Sequence, residues 1–315
     1  MIILTGGAGF IGSNILKKLN ENGNKDILVV DNFDNYAKYK NLINLSFLDF
    51  IDKNKFINDL ESNKYDNQIT AILHQGACSS TTELDLNYLI KNNYEYSKKL
   101  LKFSIENKIP FIYASSASIY GNYTKFFNED KSNENPINPY AFSKYLFDNY
   151  VRSNVDFKVN KVVGLRYFNV YGPNEEHKKS MASTIYHFNK QLKETNTIRL
   201  FGSYDGYENG TQKRDFIYVD DCVDTILWFL NNNYSGIYNL GTGAARSFNE
   251  VANLIIKWHN LNGKIEYVDF PENLKGSYQS YTRADMNNLF KIGFKHNFLT
   301  LEEGVNLYLN KLNNI

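Results

Sequence analysis

Tyr140 and Lys144 stand four residues apart in Pro139-Tyr140-Ala141-Phe142-Ser143-Lys144, a spacing that puts a phenol and an ammonium on one face of a helix. A free tyrosine has a pKa near ~10 and is a poor base at neutral pH. A lysine one turn away favours the phenolate, so the pair can take a hydroxyl proton and return it. Ser116 ends the preceding apolar run, Pro110-Phe111-Ile112-Tyr113-Ala114, where its hydroxyl can bond the same substrate oxygen. Tyr-x-x-x-Lys occurs often by chance; the strand ending in serines before it gives it weight.

The elements that must position this chemistry begin at the N-terminus. Met1-Ile2-Ile3-Leu4 reads as a buried parallel strand, and Thr5-Gly6-Gly7-Ala8-Gly9-Phe10-Ile11-Gly12 follows it. Phe10, Ile11, Ile15, Leu16 and Leu19 then fall at helical spacing. In this context Gly6 allows the tight turn, Gly9 lets a pyrophosphate approach the backbone, and Gly12 lets helix pack on strand. The helix N-terminus offers N–H groups to the phosphates. A second strand ends in Asp31, where an acid meets the ribose. A bound, positively charged nicotinamide would further favour the Tyr140 phenolate. The loop 32–38 is expected beside the adenosine ribose. Asp31 favours NAD, whereas Lys38 can pair with the 2′-phosphate of NADP, although spacing alone favours a solvated loop lysine there.

Residues 42–48 can supply a third strand, and 52–60 read as a short helix with Lys53 at its start. Ala71-Ile72-Leu73 is a further strand, so Gln75, Gly76, Ala77, Cys78 and Ser79 beyond it should pass the cofactor. His74 reads as a satisfied strand-end histidine rather than a base. Residues 92–107 read as a helix with Asn92 at its inner end.

The Thr-Gly-x-x-Gly-x-x-Gly start, Ser115-Ser116 and Tyr140-x-x-x-Lys144 resemble the extended short-chain dehydrogenase/reductase family. The resemblance implies a doubly wound (Rossmann-type) α/β domain, a nicotinamide cofactor and a nucleotide-sugar substrate. Dehydratases of that family carry an Asp-Glu pair before the Tyr-Gly that stands here as Tyr120-Gly121. Ala117 and Ser118 take its place, so no acid is present to expel water.

Further runs are similar to the members of that family that invert C6″ of an ADP-heptose for lipopolysaccharide core synthesis. They are Cys78-Ser79-Ser80-Thr81-Thr82-Glu83, Asn92-Asn93-Tyr94, His177-Lys178-Lys179-Ser180-Met181-Ala182-Ser183 and Leu274-Lys275-Gly276-Ser277-Tyr278-Gln279. This resemblance tips the cofactor to NADP, implies ADP-heptose as substrate, and suggests a homo-oligomer, a pentamer. It assigns cofactor contacts to Phe10, Ile11, Asn32, Lys53, Asn92, Lys144 and Val170 besides the residues above. It assigns substrate contacts to Asn169, Ser180, His187, Phe201, Gly202, Ser203, Tyr204, Arg214 and Tyr278.

Epimerisation by transient oxidation moves the hydroxyl proton in two geometries, which one fixed base cannot easily reach. Tyr140 and Lys178 can each serve one half. Arg214 suits bidentate pairing with a diphosphate. The loop 205–212 is longer than the pattern, which loosens the residue matches between Gly202 and Lys213. His187 is expected in a helix over 181–192.

The 315 residues suffice for a large core. The net charge of +1 gives no reason to expect nucleic acid or membrane binding. Cys78 and Cys222 lack metal spacing, so free thiols, no metal and a cytoplasmic location are expected. Ile237-Tyr238-Asn239-Leu240-Gly241-Thr242-Gly243 is not a triphosphate loop, because no Lys-Ser/Thr follows. A smaller mixed α/β substrate domain is expected over 169–214 plus 242–315, with 1–168 plus 215–241 binding NADP. A UDP-hexose 4-epimerase or reductase is the rival enzyme. A cofactor-sensing binding protein is the rival outside catalysis, and it would need no base.

Overall fold

Short runs of branched apolar residues, buried on both faces, build the centre of the main sheet of this computed structural model, which describes residues 1–32, 36–62, 64–65, 67–122 and 126–315. Residues 33–35, in the loop expected beside the ribose, lie outside them. In chain order the elements are β1 (Ile2–Thr5), α1 (Phe10–Glu21), β2 (Ile27–Asp31), β3 (Asp49–Asp52), α2 (Lys53–Glu61) and β4 (Ala71–His74). Next come α3 (Leu86–Leu89), α4 (Tyr96–Glu106), β5 (Phe111–Ser116), α5 (Pro139–Asn154), β6 (Val162–Tyr167), β7 (Asn169–Tyr171) and α6 (Thr184–Thr195). The chain ends with β8 (Thr197–Phe201), β9 (Lys213–Tyr218), α7 (Val219–Asn231), β10 (Gly236–Leu240), β11 (Ala245–Ser247), α8 (Phe248–His259), β12 (Lys264–Val268), α9 (Asn287–Lys291) and α10 (Leu301–Leu312).

The main sheet has seven strands in the order β10-β6-β5-β4-β1-β2-β3. Parallel pairing sets Ile2 against Ile27 on one side of β1 and against Ala71 on the other. The order reverses between β1 and β4, which puts a topological switch point at their carboxyl ends. Two small sheets, β11-β9-β7 and β12-β8, complete the strands. This is the doubly wound α/β fold with a smaller mixed part that the sequence predicts.

Two compact units can be separated. The first comprises Met1–Ser116, Asn138–Arg166 and Cys222–Tyr238. The second comprises Ala117–Ile137, Tyr167–Asp221 and Asn239–Ile315. Each has its own core. Ile3, Leu28, Phe56, Ile72, Phe111 and Phe147 lie in the first, and Ile185, Phe188, Leu200, Val251 and Tyr308 in the second.

Three expectations shift in position. The third strand is 49–52, not 42–48: Tyr36–Leu42 is a 3-10 helix and Asn44 is left-handed (φ 66°), which breaks an extended run. The helix read at 92–107 starts at Leu86 and passes through a π turn, Ile90–Glu95. The helix read at 181–192 starts at Thr184, because Ala182 is extended and the Ser183 hydroxyl caps the first turn. The capping box at Thr300 and Glu303 makes both of its bonds. Among the described residues no helix is long and apolar enough to cross a membrane.

Candidate active site

The glycine turn lies at the switch point, and two of its glycines are required by close contact. A Cβ on Gly6 would stand 2.6 Å from the Gly76 nitrogen, so the turns after β1 and β4 touch there. A Cβ on Gly12 would stand 2.1 Å from the Gly6 carbonyl oxygen. Gly9 is the N-cap of α1 and no side chain caps the helix, which leaves the first turn open to an anion. Phe10 is buried within that turn and Ile11 half-buried. These features fit a dinucleotide pyrophosphate.

Asp31, expected at the ribose, ends β2 and is already bonded. Ala8 N–H donates to its Oδ2 (2.9 Å), and Asn32 N–H to its Oδ1 (2.7 Å). The Lys38 ammonium pairs with the same Oδ1 at 3.0 Å and also reaches the Asn32 side chain at 3.2 Å. The carboxylate that would repel a 2′-phosphate is thus neutralised by Lys38.

After β4, His74 is buried with both ring nitrogens engaged, Nδ1 with the Thr5 hydroxyl (2.6 Å) and Nε2 with Ser97 Oγ (2.8 Å). Burial, then the charge of Lys144, pushes its pKa down to about 3. It is a neutral strand-end histidine. Gln75, Gly76 and Cys78 are half-buried, while Ala77 and Ser79 are exposed. Thr5 Oγ1 also accepts from Gly76 N–H (3.2 Å). Cys78 and Cys222 are free thiols. Lys53 donates to the Asn92 side chain.

Of the residues expected to be catalytic, Tyr140 and Ser116 come together within the first unit, with Lys144 beside them, while Lys178 belongs to the second. Tyr140 is buried on α5, and its side chain is hydrogen-bonded to that of Ser116. Burial pushes its phenol up; the Ser116 bond opposes the shift. Lys144 is buried one turn on and donates to the Ala114 carbonyl (2.9 Å). Burial brings its ammonium down to about 8, against the opposing pull of Asp148.

Several residues that build this site carry no motif signal. Asp148 and Arg166 are fully buried and paired at 2.9 Å. The Tyr113 and Ser115 hydroxyls each donate to Asp148 at 2.9 Å, so α5, β5 and β6 meet on one carboxylate beside Ser116. Asn93 lies in the π turn. Its side chain accepts from Cys78 N–H (2.8 Å) and donates to the Cys78 carbonyl (3.0 Å) and to Ser143 Oγ (3.0 Å). It therefore ties the loop after β4 to the helix of Tyr140. Asn93 does stand in the run Asn92-Asn93-Tyr94, and the adjacency of two polar residues is a further hint, since neighbours cannot share a face of an α-helix.

In the second unit, β7 carries exposed Asn169 and half-buried Val170. A 3-10 segment, Glu176–Met181, carries Lys178 and exposed Ser180. Burial lowers the Lys178 ammonium below its ordinary value, with Glu175 opposing. His187 Nε2 is buried and has no hydrogen-bond partner among the described residues.

Arg214 is buried with its guanidinium carbon 4.6 Å from the centre of the Tyr278 ring. Phe201, Phe270 and Tyr278 pack edge to face on one another. Tyr204 stacks on Phe270 with centroids 3.9 Å apart, and its hydroxyl accepts from Gly276 N–H (2.8 Å). The long loop folds back through a Tyr204–Tyr207 bridge with Asp205 and Gly206 left-handed, while Gly202 is half-buried and Ser203 exposed.

Comparison with known proteins agrees with this geometry. The profile described as the NAD dependent epimerase/dehydratase family matches residues 2–241. The structure of ADP-L-glycero-D-manno-heptose-6-epimerase from Helicobacter pylori is 32% identical, covering 100% of this chain and 96% of that one, with a TM-score of 0.86. UDP-N-acetylglucosamine 4-epimerase from Methanobrevibacter ruminantium, in complex with UDP-N-acetylmuramic acid, is 26% identical over 99% and 98%, with a TM-score of 0.85. UDP-glucose 4-epimerase from Thermotoga maritima, with UDP-glucose, is 26% identical over 99% and 98%, with a TM-score of 0.84.

Proposed function

The chain belongs to the NAD-dependent epimerase/dehydratase family, and from that premise we propose that it inverts C6″ of an ADP-heptose by transient oxidation with bound NADP. The observation that carries this reading is Lys178. It is a second lysine with a burial-lowered ammonium, on a segment apart from Tyr140.

Held at the glycine turn of Gly6, Gly9 and Gly12, a nicotinamide cofactor would supply reversible hydride transfer at the substrate carbon. The chain's residues manage the proton and the fit. Tyr140 takes or gives the hydroxyl proton, Ser116 holds the oxygen, and the Lys144 ammonium favours the phenolate. Lys178 exchanges the proton when the carbonyl presents its other face. A lowered pKa suits it to that task. Arg214 binds the diphosphate, and the Phe201, Tyr204 and Tyr278 group lines the nucleotide end. The Asp31–Lys38 pair supports NADP over NAD. The full-length similarity to the Helicobacter pylori enzyme supports the ADP-heptose over other sugars. The product would supply heptose for lipopolysaccharide.

The test is turnover of ADP-D-glycero-D-manno-heptose in deuterated water without added cofactor, followed by proton NMR at C6″. Conversion to the L-glycero form with no deuterium at C6″ is expected. Deuterium at C6″ would mean proton abstraction from carbon and refute the mechanism. A second reading, a UDP-hexose 4-epimerase, draws on the similarity to two UDP-sugar 4-epimerases. Turnover of UDP-galactose but not of ADP-heptose would select it.

A further inference from the structure

The loop that carries Lys178 is fastened at both ends by one buried carboxylate. Glu175 is fully buried, and its Oε1 accepts from Ser183 Oγ at 2.6 Å and from Gly172 N–H at 3.4 Å. Its Oε2 accepts from Ser183 N–H. Gly172 follows β7 and Ser183 caps α6, so the two boundaries of the loop converge on this side chain. Tyr308 of α10 lies close to the carboxylate, outside hydrogen-bonding geometry.

Between those ends the backbone turns sharply. Asn174 (φ 74°) and Lys179 (φ 52°, ψ −121°) are left-handed on either side of Lys178. Lys178 N–H donates to the Glu175 carbonyl (2.9 Å), and Ala182 N–H to that of Lys179 (3.0 Å). A strained turn of this kind persists only where its surroundings over-determine it. A buried carboxylate is tolerated only when well hydrogen-bonded.

We propose that Glu175 is a positioning residue for Lys178: its side chain, bonded to Gly172 and Ser183, fixes the loop so that the Lys178 ammonium is presented in one place. This rests on Lys178 acting as the second base. The role requires a carboxylate rather than an amide, because each of its two oxygens accepts from a backbone N–H. Glutamine would set its own N–H against Ser183 N–H or Gly172 N–H. The Glu175 charge also opposes the loss of the Lys178 proton on burial.

The experiment is a double-mutant cycle on the holoenzyme with ADP-heptose, using Glu175→Gln, Lys178→Met and both together. Misplacing a reacting group by about 1 Å lowers rate by about 100-fold. Glu175→Gln should therefore lower kcat by about 100-fold, with KM changed by less than about threefold. In the Lys178→Met background it should change kcat by less than about threefold. If Glu175→Gln does not fold, Ser183→Ala removes one donor to the carboxylate. It should lower kcat by about 10-fold in the wild type and have little effect beside Lys178→Met. An impaired Lys178→Met combined with additive losses overturns the role of Glu175 alone. Unchanged kcat in Lys178→Met overturns the second-base reading, and this role with it.

Discussion

Replacing Lys144 with methionine should make the protein more stable while disabling it. Lys144 is 7% exposed, and its ammonium is held at about 8, below an ordinary value of 10.5. The unfolded chain therefore binds more protons than the folded one between those values, and wild-type stability rises with pH across that window. At pH 7 the lysine is charged in both states. A shift of that size corresponds to about 3 kcal/mol of destabilisation at ~1.4 kcal/mol per unit. Methionine removes the charge and retains most of the packing volume. It also loses the bond to the Ala114 carbonyl, worth about 1 kcal/mol. Asp148 keeps Arg166, Tyr113 and Ser115 as partners. The net expectation is a gain of about 2 kcal/mol at pH 7 in urea unfolding of the nucleotide-free chain. At pH 9.5 the wild-type burden shrinks to about 1 kcal/mol by the same linkage, so the gain should nearly vanish. Turnover should fall by about 100-fold or more. A Lys144→Met protein less stable than wild type at pH 7, or equally stabilised at both pH values, would refute this reasoning.

Lys38→Ala should weaken NADP by about 10- to 100-fold, the loss of a charged hydrogen bond of about 1.5–3 kcal/mol, and NAD by less than about threefold. Calorimetric titration with each nucleotide checks this, and equal losses contradict a 2′-phosphate role. Lys179→Gly should relieve the left-handed turn and raise stability by about 1 kcal/mol, with kcat within about twofold. Lower stability on thermal unfolding would mean the turn is not strained. Gly12→Ala drives a Cβ into the backbone at Gly6 and Gly7, so it should cost about 1–3 kcal/mol and abolish nucleotide retention. Normal melting with bound cofactor would show that the glycine contact can yield.

The parts of the fold legible in the sequence are those set by local chemistry. Ile2–Thr5 and Ala71–His74 are apolar enough to be strands on their own, and Gly6 and Gly12 encode a turn whose backbone contacts leave no room for a Cβ. Pro139–Asn154 carries its own Asn138 cap and a proline in its first turn, so Tyr140 and Lys144 could be placed on one face in advance. β3 was not legible, because Asp49-Phe50-Ile51-Asp52 is a strand by virtue of pairing with β2, Leu28 opposite Asp49. The Asp148–Arg166 pair and the Asn93 links were also hidden. Each joins residues whose meeting is decided by packing of the sheet and its helices. The surroundings of Lys178 depend likewise on Gly172 and Ser183 converging on Glu175, which motif spacing does not reveal.

The π turn at Ile90–Glu95 makes chain length a functional variable. It lets the consecutive residues Asn92 and Asn93 serve different partners, Lys53 on one side and Cys78 with Ser143 on the other. Deleting a single residue there would restore an ordinary α-helix, its N–H groups bonding four residues back instead of five, and leave everything beyond it close to its present register. Ser97 would still face His74 and Leu100 and Leu101 the core, while the separate contacts of Asn92 and Asn93 could not both survive. A one-residue deletion in this turn should therefore spare the fold and act on the site, whereas the same deletion one turn further on would rotate the rest of the helix out of the core.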